Sequence, residues 1–195
     1  MKPFLCALAL TACGGQIDAS TDAGATTDAI TSDAATACPI ESTTFSWFIS
    51  GSNASLYQGG HDAATTCSGA PSVSLRSVSQ ASSSDFATMM TTENAASFAG
   101  KRVRFRGWVR TDALDAWAGL WMRVDEPNDQ QGAFDNMANR PIKSTTPWTP
   151  YDVVLDVAPD AVDVAFGVLM SGDGQAWLDG VSLEVVDDSV PTTGN

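Results

Sequence analysis

Residues 101–125 hold the strictest pattern in the chain. In KRVRFRGWVRT (101–111) one parity reads Val103, Phe105, Gly107, Val109, and the other reads Arg102, Arg104, Arg106, Trp108, Arg110. WAGLWMRVD (117–125) repeats it, with Ala118, Leu120, Met122, Val124 set against Trp117, Gly119, Trp121, Arg123, Asp125. Successive side chains of a strand leave opposite faces, so each segment predicts a strand with one face in a core. Similar alternation marks VSLRSV (73–78), YDVVLDV (151–157), VDVAFGVLM (162–170) and QAWLDGVSLEVV (175–186), with FSWFIS (45–50) ahead of them. TDALDA (111–116), APDA (158–161) and GDG (172–174) read as the turns between, and GGHD around His61 as another. A helix is expected only as one short segment over TTENAASF (91–98). With no βαβ rhythm and no GxGxxG, the expected fold is all-β, an antiparallel β-sandwich of about 8–10 strands spanning 43–187, followed by a flexible tail over 188–195.

Charge divides the chain further. Among 195 residues, 23 Asp and Glu face ten Lys and Arg, a formal net charge of -13. That sign opposes a phosphate backbone, so no nucleic-acid partner is expected. After Lys2 no base occurs until Arg76, while Asp18, Asp22, Asp28 and Asp33 fall in the gap. Residues 14–37 are almost wholly Ala, Thr, Asp, Ser and Gly. Such a run cannot bury enough apolar area to offset its ordering entropy. Residues 13–42 are therefore expected to be a disordered linker, and the low-complexity run alone has an r.m.s. reach of about 25–30 Å.

The first residues read as an address. MKPFLCALALTAC has one Lys, a short apolar run and small residues before Cys13, the pattern of a secretion signal over 1–12. Leu10-Thr11-Ala12-Cys13 resembles the lipobox of bacterial lipoproteins. The resemblance implies cleavage before Cys13, a lipid on Cys13 and a membrane partner through that anchor. Gly14, in place of an Asp, implies outer-membrane sorting. An ordinary secretory peptide, giving a periplasmic or secreted protein, or a misplaced start codon, are the alternatives. Cys6 then leaves with the signal, and Cys38 and Cys67 remain as an even pair in an oxidising compartment. A disulfide between them is expected, worth roughly 3 kcal/mol in the chain-entropy model. Two buried free thiols are the alternative. There is no CxxC, and His61 is the single histidine, so a transition-metal site is not expected.

Three strand motifs carry a second resemblance. FAGKRVRFRGWVRT (98–111), TTPWTPYDVVLDV (145–157) and GQAWLDGVSLEVV (174–186) resemble strands of jelly-roll, galactose-binding-like carbohydrate-binding modules around families four and nine. WAGLWMRVD, AFDNMANRPIKSTTPWTPYDVVLDV and VAFGVLMSGDGQAWLDGVSLEVV are also similar to an uncharacterised bacterial jelly-roll domain, found alone in secreted proteins and fused to regulators. The latter carries no established activity and transfers no catalytic residue. The module resemblance implies that Trp148 and Tyr151 sit in the core. It also implies a structural Ca²⁺, with Asp179 and Glu41 as oxygen ligands; no other cofactor is expected.

A sugar ring needs an aromatic platform for its C–H face and planar polar side chains for its hydroxyls. The outward strand sets offer both. The candidate ligand-binding residues are Arg104, Arg106, Trp108, Trp121, Arg123, Asp125, Asn136, Arg140 and Trp177, and the expected partner is a carbohydrate or another envelope component. The competing expectation is a structural or protein-interaction domain with no small ligand, in which Arg and Asp pair on the surface and loops cover the tryptophans. A glycosidase requires two facing carboxylates. Of Glu41, Glu93, Glu126 and Glu184 only Glu184 falls in an expected strand, and GxSxG is absent. A non-catalytic module is expected, and the oligomeric state stays open.

Overall fold

The alternating segments assemble as nine antiparallel strands in the computed structural model, which describes residues 38–39 and 44–194. They are β1 (Phe48–Ser50), β2 (Tyr57–Asp62), β3 (Ser72–Ser77), β4 (Phe86–Asn94), β5 (Arg102–Glu126), β6 (Gln130–Asp135), β7 (Ile142–Asp156), β8 (Asp163–Ser171) and β9 (Gln175–Val186). Hydrogen bonding orders them β1-β4-β8-β5-β9-β3-β2, with β6 and β7 also paired to β5.

β5 organises the fold. Its first half, Arg102 to Asp112, lies between β7 and β9, and its second half, Trp117 to Glu126, between β8 and β6. The strand thus belongs to two layers, β2-β3-β9-β5-β7 and β1-β4-β8-β5-β6, of a jelly-roll β-sandwich. TDALDA is therefore not a turn between two strands. It is a bend inside one, where the pairing with β7 slips between Val109 and Ala118 and Ala113 takes a φ of 49°. Bulged residues of this kind absorb a change of parity and turn a strand from one sheet into the next.

The inward parity of both halves meets in one core. Val103, Phe105, Val109, Leu120, Met122 and Val124 are fully buried, as are Phe166 on β8 and Leu178 on β9. Phe166 is the hub: its ring centroid lies 4.8 Å from Phe105 and 5.2 Å from Phe45. Each such side chain contributes roughly 1.5–3 kcal/mol by leaving water.

Several local expectations give way to tertiary pairing. Thr91–Asn94 extend β4 along β8, with Thr91 opposite Phe166, and only Ala95–Ser97 form a 3-10 turn, capped by the Asn94 side chain at 2.9 Å from Ala96 N. A ready ladder partner overrides weak local preference. GGHD is strand rather than turn, with His61 opposite Val73. A Cβ at Gly59 would stand 2.1 Å from Met89 Sδ, so a larger residue there has to displace the Met89 side chain. Trp148 and Tyr151 are half-buried rather than inside the core, and Tyr151 packs against its margin. Residues 188–194 are held rather than loose: Arg102 Nη1 donates to the Asp188 and Val190 carbonyls at 2.6 and 2.7 Å, and Thr193 bonds Val154 through N–H and hydroxyl. Cys38 and Cys67 form a disulfide with Cα atoms 5.5 Å apart. Among the described residues no helix is long and apolar enough to cross a membrane. Cys13 and the expected linker run of 14–37 lie outside the described residues.

Candidate functional site

Because β5 bends through both layers, its outward side chains divide between the two outer faces of the sandwich. The candidate residues do not form one surface.

On the β9 side the outward set is paired. Arg104 bonds Glu184 at 2.7 Å and Arg106 holds Asp152 by two bonds of 2.6 Å. Trp108 is half-buried beside Gly180 and the Cys38–Pro39 segment. Arg110 stands 5.5 Å over the Trp177 ring, a cation–π contact. Trp177 is 6% exposed, and its Nε1 donates to Asp62 at 2.8 Å. That bond first, and the Ala64 and Thr65 N–H groups next, hold the Asp62 carboxyl below its usual range. Asp179 is buried and accepts from Cys67 N–H, Ser68 N–H, Ser68 Oγ–H and Gly180 N–H at 2.6, 2.9, 2.6 and 2.7 Å. Its oxygens meet donors, whereas a calcium ion asks for acceptors. Glu41 lies outside the described residues, and among the described residues no three His, Cys, Asp or Glu gather as a metal site.

The opposite outer face, across β1, β4, β8, β5 and β6, is concave. A cleft of about 740 Å³ opens there. Trp121 reaches across β8 so that its indole N–H meets Thr88 Oγ1 on β4 at 2.7 Å, and that hydroxyl donates on to Val168 O at 2.9 Å. Trp121 packs with Ala165, Leu169, Met90, Trp117 and Phe134, apart from the main core. Arg123 enters the cleft, held by Asp125 through bonds of 2.5 and 2.9 Å. Gln131, opposite Asp125, lines that end, and Asn136 lines the cleft nearer Gly119.

Of the nine candidates, Trp121, Arg123 and Asn136 line this cleft, and Asp125 positions Arg123. Arg140 lies outside it, bonded to Asp135 at 2.5 Å and to the Asp152 carbonyl at 3.1 Å. Phe48, Phe86, Thr88, Met90, Phe134 and Leu169 line the cleft without having been singled out from sequence. The usable signal was that FATMM and VAFGVLM are apolar at both parities, so neither face of β4 or β8 is made for bulk water. Among the described residues lining the cleft there is no carboxylate. Acid–base hydrolysis of a glycoside has no carboxylate pair there.

Asp135 carries a pH prediction. Burial pushes its carboxyl up, but Arg140, Thr193 and the Met137 N–H together outweigh this and hold it below the usual 3.8. Arg102 does the same for Asp156. A depressed carboxyl stabilises the fold above its ordinary pKa, and the contribution disappears as pH falls through the folded value. The urea midpoint should therefore drop between about pH 5 and pH 3, and Asp135→Asn should flatten the slope. Equal slopes for both proteins would refute this role of Asp135.

No family model matches the chain. It is 42% identical over 147 residues to an uncharacterized HTH-type transcriptional regulator, YbfP of Bacillus subtilis, covering 75% of this chain and 50% of the regulator. The chain thus spans half the length of that curated relative. Among solved structures, the CBM22-1 xylan-binding domain of Paenibacillus barcinonensis Xyn10C superposes with a TM-score of 0.55 at 14% identity, covering 75% of this chain and 90% of that one. A second xylan-binding CBM 22 domain gives 0.52 at 15% identity, over 75% and 91% of the two chains. The enzymatically active domain of tailspike protein 4 of bacteriophage CBA120 also gives 0.52, at 13% identity, over 73% of this chain and 19% of that one. At these identities the likeness is one of fold.

Proposed function

We propose that this chain is a non-catalytic carbohydrate-binding module that holds its ligand in the cleft over β4, β8 and β5. The observation that carries the reading is the Trp121–Thr88 floor with Arg123 at its end: a fixed apolar platform beside a forked donor. The fold shared with xylan-binding domains and the strand motifs similar to families four and nine support it. DNA contact is not carried over from the regulator. The described residues hold no α-helix, and the net charge is -13. Titration of a soluble oligosaccharide panel by calorimetry, with pull-down on insoluble polysaccharides, tests the reading. At least one sugar should bind, and Arg123→Ala should weaken it about tenfold, a lost charge-assisted bond. Silence across the panel, with wild type and variant alike, refutes it.

The ion-paired face around Arg104, Arg106 and Trp177 supports a second reading, an interaction domain without a small ligand, in which that face meets a partner and the cleft stays empty. The proposed setting is the cell envelope, with Cys13 lipidated and the domain carried on the outer membrane. Leu10-Thr11-Ala12-Cys13 supports this. Mass spectrometry of membrane fractions should find a mature protein beginning at a diacylated Cys13. Recovery of only unmodified soluble protein overturns the anchor.

A further inference from the structure

We infer that the cleft takes a small amphipathic glycoside, with one sugar ring at the Arg123 end and an aryl or short alkyl aglycone lying over the floor toward Phe86. This rests on the carbohydrate reading and narrows it to a class of ligand.

The cross-strand rows set out the chemistry. From one end to the other they run Phe86–Ser171–Trp117, Thr88–Leu169–Gly119, Met90–Gly167–Trp121, and Ala165–Arg123–Phe134. Most polar atoms of the first three rows are already committed; the half-buried Trp117 Nε1 is the exception, with no protein partner among the described residues. Trp121 Nε1 donates to Thr88, the Thr88 hydroxyl donates to Val168 O, and the Ser171 hydroxyl donates to Ser83 O at 2.8 Å. The one cationic side chain among the described residues lining the cleft lies at the far end. Arg123 spends Nε and Nη2 on Asp125, and its Nη1 has no protein partner among the described residues. The Gln131 side chain lines the same end, its backbone opposite Asp125. A ligand with hydroxyls along its whole length, as in a polysaccharide, would lay some of them unpaired on Trp121, Leu169 and Met90, stripped of water. A ligand that is polar at one end and apolar at the other leaves fewer groups unpaired over this floor.

Three further observations agree. Phe48 and Phe86, 49% and 40% exposed, are two of the six large apolar side chains exposed among the described residues, and both line this cleft. Exposed apolar residues gathered at a concave site mark binding rather than chance. Beyond Phe86 the serines Ser52, Ser83 and Ser84 are exposed, so a longer chain would re-enter water there. A volume of about 740 Å³ suits a ligand of drug-like size.

The test is a matched series on the wild-type chain by calorimetry, below micellar concentrations. The ligands are methyl, hexyl and phenyl β-glycosides of glucose, galactose, mannose and xylose, the corresponding oligosaccharides, and hexanol and phenol alone. For the sugar that binds, the hexyl or phenyl glycoside should exceed the methyl glycoside by about tenfold or more, since a few buried methylenes suffice for that. Phe86→Ser should cost the phenyl glycoside about tenfold and the methyl glycoside less than about threefold. An oligosaccharide that binds more tightly than the hexyl and phenyl glycosides, or equal affinity for methyl and phenyl, overturns the inference and leaves carbohydrate binding standing. Hexanol binding as tightly as its glycoside, or no binding by any ligand, overturns both.

Discussion

Asp179→Ala should cost the fold about 3 kcal/mol, read as a lower urea midpoint at unchanged m-value. Four donors converge on this carboxylate, and three are backbone N–H groups, of Cys67, Ser68 and Gly180. Hydrogen bonds to a charged acceptor contribute roughly 1.5–3 kcal/mol each when buried, but Cys67 and Ser68 are half-buried and recover water when the partner goes. The Gly180 N–H does not, which keeps the estimate near the middle of the range. The same loop is closed by the Cys38–Cys67 disulfide, 29 residues apart in sequence. Removing both cysteines should cost about 3–4 kcal/mol by the loop-closure term. The double change should cost less than the sum of the two, because once the loop is released by one route the other has little left to hold. A loss below about 0.5 kcal/mol for Asp179→Ala would show that the carboxylate is ornamental. Asp179 lies on the face opposite the cleft, so ligand affinity of the folded variant should match wild type.

Trp121→Ala should remove ligand binding and lower stability by about 3 kcal/mol. The indole is 7% exposed and forms the cleft floor from β5 to β4. Truncation leaves Leu169, Met90 and Phe134 without the surface they pack on and opens the floor to water. Core Trp→Ala changes cost roughly 3–5 kcal/mol, and a residue under an open cleft belongs at the lower end. Trp121→Phe separates the two roles. It keeps an apolar ring and loses the N–H bond to Thr88, so stability should fall by about 1 kcal/mol while binding weakens only in part. Calorimetric titration beside thermal unfolding reads both quantities. Full affinity in folded Trp121→Ala would place the ligand elsewhere.

The inward half of the fold was legible in the residues. Val103, Phe105 and Val109, and Ala118, Leu120, Met122 and Val124, were readable as core faces, and all are buried. The outward half was only partly so. Arg104 and Arg123 share the outward side of β5 and look equivalent in sequence, yet one is bonded to Glu184 on the β9 side and the other lines an open cleft. Phe86, Met90 and Leu169 gave a weaker signal, apolar residues at both parities, because nothing local says what the second apolar face meets.

Period-two alternation determined by itself that the chain is a β-sandwich and which side chains are inside, because strand geometry sends alternate residues to opposite faces whatever the neighbours are. Tertiary structure alone decided that 102–126 is one bent strand, that its outward residues part onto two surfaces, and that the surface over β4 and β8 is hollow. The reason is that a side chain's parity is a local property, whereas the openness of the face it reaches depends on partners far away in sequence. Thr88, 33 residues from Trp121, is what turns an outward tryptophan into the floor of a site.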